Sequence, residues 1–504
     1  MDIITKTISV LFADRIKKID SFATRAVCIQ EQQFLGVIKH AQNTEYGKKY
    51  HFGEIKDYNT FNERIPAVSY EELNHYIERM IQGEKDVLWR SAVKWYAKSS
   101  GTTNDRSKYI PVTKEILCNC HYKGGLDAIL LYLRNNPQSR FFSKKGLVLG
   151  GSHKPAAINS KSHSGDLSAV LLQNTIPLVN LIRVPSKKII LMDEWEAKIK
   201  AIIENTVNED VGSISGVPSW MLVLLKAILE KTGKKNISEV WTHLEVFFHG
   251  GVGFEPYRLQ YESVIGSEKM RYMEIYNASE GFFGIQDDLT EKSMLLMLDY
   301  GIFYEFIPTN SDSQKIIPLE DVKVNENYEV IITTAGGLWR YRIGDTIRFT
   351  SVFPHKFIIT GRTKQFINVF GEELMIDNSE KGIKKACEET NALVRSYSAA
   401  PLFRKNTGTG LHQWIIEFEK KPASLDDFAL RLDNSLQQLN SDYEAKRYKN
   451  ISLQRLEIIE ARKDLFFDWL KIHGKLGGQH KIPCLSNDRK IIDELIELNN
   501  KPIN

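Results

Sequence analysis

The sequence predicts an α/β fold built as two domains. Apolar strand-like segments around Trp95, at 147–152 and at 245–251 lead into glycines, and helical patterns such as 219–232 alternate with them. Strands that alternate with helices in this way indicate a largely parallel sheet. The chain has 504 residues, which is more than one ordinary core supports, so we expect at least two domains.

The elements along the chain support this division. Residues 1–42 have apolar side chains at three- and four-residue spacing and predict helices. A strand is expected at 270–276, and a hairpin is expected to join 328–334 to 338–343, with the second strand ending at Gly344-Asp345.

A domain boundary is predicted at the segment that begins with Gly361 and Arg362. It separates a large N-terminal domain, 1–360, from a smaller C-terminal domain, 361–504. A helix at 378–390, a strand at 414–418 and a helix at 424–440 predict an α+β arrangement for the smaller domain.

Composition excludes several classes of protein. The 67 Lys and Arg residues nearly balance the 63 Asp and Glu residues, so the net charge of +4 favours neither a nucleic-acid partner nor an acidic membrane surface. No segment approaches the roughly 20 uninterrupted apolar residues of a membrane-spanning helix. Five cysteines in so long a chain do not form a disulfide framework, so we expect a cytoplasmic protein.

A hydroxyl-rich segment after the first predicted strand has the composition of a phosphate-binding loop. Hydroxyls and the N–H groups of a glycine-containing turn donate to phosphate oxygens, and a lysine adds a compact positive charge. A surface linker has a similar composition, so both interpretations stay open here. The residues are Ser99, Ser100, Gly101, Thr102 and Thr103, followed by Lys108.

Other residues offer the remaining parts of a nucleotide site. Glu280 is a candidate ligand for Mg²⁺, which prefers carboxylate and phosphate oxygens, and Asp345 is a candidate acceptor for the ribose hydroxyls. Gly250 and Gly251 would let a flat adenine approach bare backbone, and Tyr276 could stack on it. A helix start at Glu280 and a turn at Asp345 are the structural alternatives.

Familiar motifs for other chemistries are absent from the sequence. The chain contains no Gly-x4-Gly-Lys-Ser/Thr, no Gly-x-Gly-x-x-Gly opening a helix and no Gly-x-Ser-x-Gly elbow. Cys118, Cys120 and His121 lack the second ligand pair of a zinc site, so we expect two partly buried thiols there and assign no structural metal.

Three motifs in order resemble those of a known family. Ser99 to Thr103 with Lys108 and Pro111 is similar to Ser-Ser-Gly-Thr-Thr/Ser followed by Lys and Pro; residues 276–280 are similar to Tyr-Ala-Ser-Ser-Glu; and residues 341–345 are similar to Tyr-Arg-x-Gly-Asp. The chain thus resembles, over nearly its whole length, the auxin-responsive Gretchen Hagen family of acyl acid amido synthetases, within the firefly luciferase superfamily of adenylate-forming enzymes. It departs at Asn104-Asp105-Arg106 and at Asn277-Ala278.

The resemblance implies a luciferase-like large domain, a smaller mobile C-terminal domain, and the cofactors ATP and Mg²⁺. It implies that Ser279 and Glu280 lie near the α-phosphate and the metal, and that Asp345 binds ribose. Arg362 resembles the arginine before the hinge, and Lys481 resembles the mobile lysine of the small domain. A solvated loop lysine is the alternative for Lys481.

The predicted function is an ATP-dependent ligase that adenylates a small-molecule carboxylic acid and transfers the acyl group to the amine of an amino acid. An acid–thiol ligase that uses coenzyme A shares the first half-reaction and is one alternative. A binding protein that has the fold but no catalysis is the other. The joint presence of Glu280, Asp345 and Lys481 favours an enzyme.

Overall fold

The computed structural model describes residues 2–99, 108–150, 156–192, 194–251, 254, 257–309, 315–362, 366–404, 409–450, 452–473 and 482–501. They belong to two compact units. The large unit takes its residues from Met1–Ser99, Lys108–Phe254 and Tyr261–Thr363, and the small unit takes its residues from Glu255–Gln260 and Lys364–Asn504. Among the described helices, none combines the length and the apolar character needed to cross a bilayer.

The helices predicted for residues 1–42 are confirmed by the first three helices of the chain. The helices before residue 270 are α1 Ile3–Leu11, α2 Ala13–Asp20, α3 Phe22–Ala41, α4 Glu45–Lys49, α5 Tyr58–Arg64, α6 Tyr70–Ile81, α7 Lys123–Asn135, α8 Leu167–Asn174, α9 Lys187–Ile190, α10 Trp195–Thr206, α11 Pro218–Thr232 and α12 Arg258–Ile265. A π-helical segment, Ile116–Tyr122, leads directly into α7.

Local sequence explains where these helices begin and end. Ser69 and Glu72 form a reciprocal capping box at the start of α6. Pro218 occupies the first turn of α11, where its missing N–H costs nothing, and Gly233 ends that helix in the left-handed conformation with φ of 64°.

The strands of the large unit form two sheets. They are β1 Trp95–Ser99, β2 Lys108–Val112, β3 Lys145–Val148, β4 Ala156–Ala157, β5 His163–Gly165, β6 Arg183–Val184, β7 Val211–Gly216, β8 Val246–His249, β9 Arg271–Ala278, β10 Gly281–Ile285, β11 Met294–Leu296, β12 Ile302–Pro308, β13 Ile317–Pro318, β14 Asn327–Thr334, β15 Tyr341–Val352 and β16 His355–Arg362. The smaller sheet has the order β2-β1-β5-β4.

The larger sheet has two halves of different character. Its order is β13-β12-β14-β15-β16-β11-β10-β9-β8-β7-β3-β6. The five strands from β6 to β9 are parallel, whereas every pair from β9 to β13 is antiparallel. The expectation of a largely parallel sheet is wrong for the second half, because short connections join its successive strands and leave no room for crossover helices.

The predicted hairpin around Gly336-Gly337 is confirmed, since β14 and β15 pair antiparallel. The end of its second strand was predicted wrongly. Strand β15 continues past Gly344-Asp345 to Val352, and Asp345 pairs with Arg362 of β16. A glycine within a strand weakens it without ending it when both neighbouring strands supply hydrogen bonds.

The small unit is an α+β arrangement. Its strands are β17 Phe366–Ile367, β18 Leu374–Met375, β19 Leu393–Phe403, β20 Gly410–Lys420 and β21 Glu457–Glu460, and its helices are α13 Ile376–Thr390, α14 Leu425–Leu439, α15 Ser441–Arg447, α16 Leu465–Ile472 and α17 Lys490–Asn499. Strand β20 is central, antiparallel to β19 and parallel to β21. A buried pair, His412 Nε2 and Glu372 Oε1 at 2.7 Å, lies inside this unit.

A buried ion pair anchors the start of β15. Arg340 donates from Nε to Glu305 Oε2 at 2.9 Å and from Nη2 to Glu305 Oε1 at 2.8 Å, and both side chains are almost wholly buried. Arg340 also donates to the carbonyls of Asn62 and Ile65 and has a positive φ of 42°. These contacts hold a backbone conformation that an arginine rarely adopts.

Replacing Glu305 by alanine leaves the Arg340 guanidinium buried without its carboxylate. We expect the free energy of unfolding of the large unit to fall by about 3–5 kcal/mol. Urea unfolding followed by tryptophan fluorescence measures the change, since Trp339 is buried next to the pair. Glu45→Ala, which breaks the exposed ion pair with Arg79, is the control and should cost less than about 1 kcal/mol. An equal loss of unfolding free energy in Glu305→Ala and Glu45→Ala would contradict a special role for the buried pair.

Candidate active site

The second sequence motif lies at the tip of the β9–β10 hairpin. Ala278 pairs with Gly281, so Ser279 and Glu280 form a two-residue connection between the strands. The side chain of Glu280 is largely buried although it stands at a hairpin tip, where a charged residue would normally be solvated. The alternative of a helix start at Glu280 is therefore wrong. A carboxylate and a hydroxyl, both hard oxygen donors, lie next to each other at this tip.

Two of the predicted nucleotide residues contact each other directly. The Tyr276 hydroxyl on β9 donates a hydrogen bond to Asp345 Oδ2 on β15. Three strands lie between β9 and β15 in the sheet order, and in a flat sheet four spacings of about 4.8 Å would hold the two strands about 19 Å apart. The contact therefore requires the sheet to curve strongly, which brings the second and third motifs together.

The ring of Tyr276 packs on aromatic neighbours. Its centroid lies 4.9 Å from that of Phe283 and 6.2 Å from that of Phe357. Asp345 is buried, and its register partner on β16 is Arg362, so the predicted hinge arginine is opposite the predicted ribose acceptor in the backbone ladder.

The predicted glycine pair follows β8, beside β9. A Cβ atom added to Gly250 would lie 2.3 Å from the carbonyl oxygen of Ile275, and Gly251 has a φ of 84°. Side chains are excluded at Gly250 by contact and disfavoured at Gly251 by backbone conformation. Bare backbone therefore lies next to the residue that precedes Tyr276.

Lys108 begins β2 and is the register partner of Ser99 on β1. Its Nζ donates to the Tyr341 hydroxyl at 3.3 Å, and the ammonium lies 5.6 Å from the ring centroid of Tyr70 and 5.9 Å from that of Tyr341. Tyr341 is the first residue of the third motif and of β15. Lys108 is thus connected to the strand that carries Asp345, through a tyrosine of the third motif to which the sequence analysis assigned no role.

Several predicted residues lie outside the part of the chain that the structure describes. Ser100, Gly101, Thr102, Thr103 and Lys481 are among them, and Arg362 is described only by its strand position.

The structure adds one residue pair that the sequence analysis missed. His121 Nδ1 lies 2.9 Å from Asn277 Oδ1, within the second motif. Burial lowers the pKa of His121 to about 4, and the hydrogen bond to Asn277 opposes that shift only in part. The expectation of two partly buried thiols beside it is wrong, because Cys120 is buried and Cys118 is exposed. The sequence carried no signal for this contact, because 156 residues separate His121 from Asn277 and both lie among other polar residues.

Among the described residues, no group of three His, Cys, Asp or Glu side chains could hold a metal ion. This does not conflict with a magnesium site at Glu280, because Mg²⁺ is commonly bound by one or two carboxylates together with substrate phosphates and water.

Comparison with known proteins identifies the family. The GH3 family N-terminal domain matches residues 15–270, the central domain matches 295–362 and the C-terminal domain matches 377–490. The chain belongs to the GH3 family. The resemblance drawn from the three ordered motifs is thereby confirmed.

GH3 relatives match over most of their length. The chain is 23% identical to an indole-3-acetic acid-amido synthetase of Arabidopsis thaliana, covering 94% of this chain and 91% of the relative. It is 22% identical to a 4-substituted benzoates-glutamate ligase of the same plant, covering 94% and 96%. The solved structure of an acyl acid amido synthetase in complex with 2,4-DB superposes with a TM-score of 0.63 at 17% identity, covering 96% and 95%. This confirms the predicted fold.

Proposed function

We propose that this GH3 protein is an ATP-dependent acyl acid amido synthetase, which activates a carboxylic acid as an acyl-adenylate and then joins it to an amino acid. The observation that carries the proposal is the hydrogen bond between Tyr276 and Asp345, because it brings together two of the three motifs that together would bind one nucleotide. The names of the matched relatives, which are amido synthetases and a benzoate–glutamate ligase, support the reaction class.

ATP would be held by the following residues. The hydroxyl loop from Ser99 to Thr103 and Lys108 would bind the phosphates, Gly250 and Gly251 would accept the adenine edge, and Tyr276 would stack on its face. Asp345 would accept the ribose hydroxyls. Lys108, drawn toward Tyr341, would supply positive charge from the β2 side of the loop.

Glu280 is the proposed magnesium ligand, with Ser279 beside it and the α-phosphate close to both. When bound, Mg²⁺ would neutralise phosphate charge and orient the phosphates for in-line attack. The burial of Glu280 supports this role, since a carboxylate held largely out of water is stabilised by a nearby cation.

In the first half-reaction, a carboxylate oxygen of the acid attacks the α-phosphorus of ATP. A new O–P bond forms while the bond to the pyrophosphate leaving group breaks. Lys481 would neutralise the negative charge that develops between the carboxylate and the α-phosphate, which stabilises the transition state more than the ground state.

In the second half-reaction, the uncharged amine of the amino acid attacks the carbonyl carbon of the acyl-adenylate. An amide C–N bond forms, the C–O bond to AMP breaks, and the proton lost by the amine passes to solvent. Adenylation is needed because a free carboxylate is a poor electrophile and hydroxide a poor leaving group.

We also propose that two domains take different roles in the reaction: a large domain, 1–360, and a smaller mobile domain, 361–504. Rotation about the segment after Arg362 would bring Lys481 to the site for the first half-reaction and withdraw it for the second. We further propose that the protein acts in the cytoplasm on small molecules.

The reaction is tested by measuring pyrophosphate and AMP release with ATP, Mg²⁺ and a panel of carboxylic acids, with and without the 20 amino acids. Pyrophosphate released with an acid, and an amide formed only when an amino acid is added, is the expected result. A thioester formed with coenzyme A in place of an amide would assign the chain to the acid–thiol ligases. ATP binding without turnover of any acid would identify a binding protein.

Lys481→Ala should slow acid-dependent pyrophosphate release by on the order of 10²–10³, because it removes charge neutralisation in the transition state. Amide formation from supplied acyl-adenylate should be retained. Lys475→Ala, six residues earlier in the same basic segment, is the matched control and should behave as the wild type. An equal loss of rate in both half-reactions would show that Lys481 does not act specifically in adenylation.

Asp345→Asn should raise the KM for ATP by roughly 10- to 100-fold, because a charged acceptor for the ribose hydroxyls is lost. The size of the side chain is preserved, so the sheet should remain intact. The comparison with 2′-deoxyATP isolates the interaction: the wild type should discriminate against the deoxynucleotide, and the variant should discriminate much less. Undiminished discrimination in the variant would exclude a ribose contact.

A further inference from the structure

The β9–β10 hairpin has two faces that carry different residues. Tyr276 and Phe283 lie on one face, where Tyr276 reaches Asp345. Asn277 and Phe282, which are register partners, lie on the other, because successive side chains of a strand alternate between faces. Both faces lead to the same hairpin tip, Ser279-Glu280.

The π-helical segment and the start of α7 pack on the second face. The N–H of Phe282 donates to Cys120 Sγ at 3.1 Å, and a Cβ added to Gly124 would lie 2.5 Å from the Phe282 ring. This close packing sets His121 against Asn277. π-Helical turns are rare and frequently lie at functional sites.

His121 presents a buried acceptor that no described residue satisfies. Asn277 Oδ1 can only accept, so the proton of the neutral ring is on Nδ1 and the lone pair is on Nε2. The side chain is 3% exposed, and within the described residues Nε2 has no hydrogen-bond partner. The lowered pKa of His121 agrees with a neutral ring at neutral pH. A buried acceptor left unpaired is costly, so a partner from a ligand would offset the cost.

The position of His121 relates this acceptor to the proposed reaction. Asn277 precedes Ser279 by two residues, which is about 7 Å along a strand and comparable to the length of a small organic acid. If the nucleotide occupies the Tyr276 face, the acid must reach the α-phosphate from another side of the hairpin tip. The face that carries Asn277 is the other face of the hairpin and leads to the same tip, Ser279-Glu280.

We propose that His121 Nε2 accepts a hydrogen bond from the acyl acid, so that the preferred acids carry a hydroxyl or ring N–H group on the side remote from the carboxylate. This inference rests on the proposed function and names its substrate class. Asn277 is a positioning residue in this scheme, because it selects the ring tautomer that leaves Nε2 an acceptor.

A second histidine provides a matched control. His355 is also buried, its pKa is also lowered to about 4 by burial, and its Nδ1 has no hydrogen-bond partner among the described residues. It begins β16, whereas Arg362, opposite Asp345, ends that strand, about 23 Å away at 3.3 Å per residue. Burial of a histidine is common to both residues, and only His121 lies beside a predicted site motif.

The test uses pairs of acids matched in size that differ in one donor, such as hydroxyphenyl and fluorophenyl acids, or indolyl and benzothienyl acids. Acid-dependent pyrophosphate release gives kcat/KM, and calorimetry gives binding of the acid. For the wild type we expect the donor-bearing member of each responsive pair to be preferred. His121→Phe should lower kcat/KM for that member by roughly 10- to 100-fold and leave its matched partner unchanged.

Two further variants separate specificity from folding. His121→Gln, which retains an acceptor near the position of Nε2, should recover part of the preference, and His355→Phe should leave it unchanged. If His121→Phe does not fold, the preference for donor-bearing acids is compared between His121→Gln and the wild type. The preference of His121→Gln should be the weaker of the two, and an equal preference would overturn the inference. A wild type that activates acids without preferring donors, or a His121→Phe variant that retains the preference, would overturn this inference alone. No activation of any acid would overturn the proposed function and this inference with it.

Discussion

The hydrogen bond from the Tyr276 hydroxyl to Asp345 is the constraint on which the rest of the site depends. It joins strands β9 and β15, which three other strands separate, so it can exist only in a strongly curved sheet. Curvature of this degree is possible because the antiparallel half has register shifts between β9 and β10 and between β15 and β16, and bulges increase local bending. The hairpin tip with Ser279-Glu280 follows Tyr276 along β9, and the glycine pair after β8 lies beside Ile275 of the same strand.

The buried ion pair between Arg340 and Glu305 stabilises the start of β15. Arg340 spans from Glu305 to the carbonyls of Asn62 and Ile65 at the end of α5, while the backbone of Val68 bonds to Arg340 and Arg342 on either side of Tyr341. A charged pair so deeply buried is costly unless its geometry is good, and here the guanidinium makes two parallel hydrogen bonds with the carboxylate. The consequence is local: Tyr341 is held where its hydroxyl meets the ammonium of Lys108.

The two faces of the short β9–β10 hairpin lie in different chemical environments. Tyr276 and Asn277 are neighbours in sequence, yet one side chain reaches a carboxylate and the other reaches an imidazole. A two-residue tip, Ser279-Glu280, connects the two strands that carry these faces. In the proposed reaction, the nucleotide would be held on the Tyr276 face and the acid on the Asn277 face.

The sequence by itself determined the family, the α/β class, the hairpin around Gly336-Gly337 and the α+β arrangement of the small unit, because motif order, apolar periodicity and turn residues are local properties. It could not determine that half of the large sheet is antiparallel or that Asp345 lies inside a strand, since pairing partners far apart in the chain decide both. Nor could it indicate that Tyr341 meets Lys108 or that His121 meets Asn277, which are separated by 233 and 156 residues. Only the tertiary structure decided these contacts, because packing between elements far apart in the chain, such as the π-helical segment against β10, brings together side chains whose spacing in the sequence carries no signal.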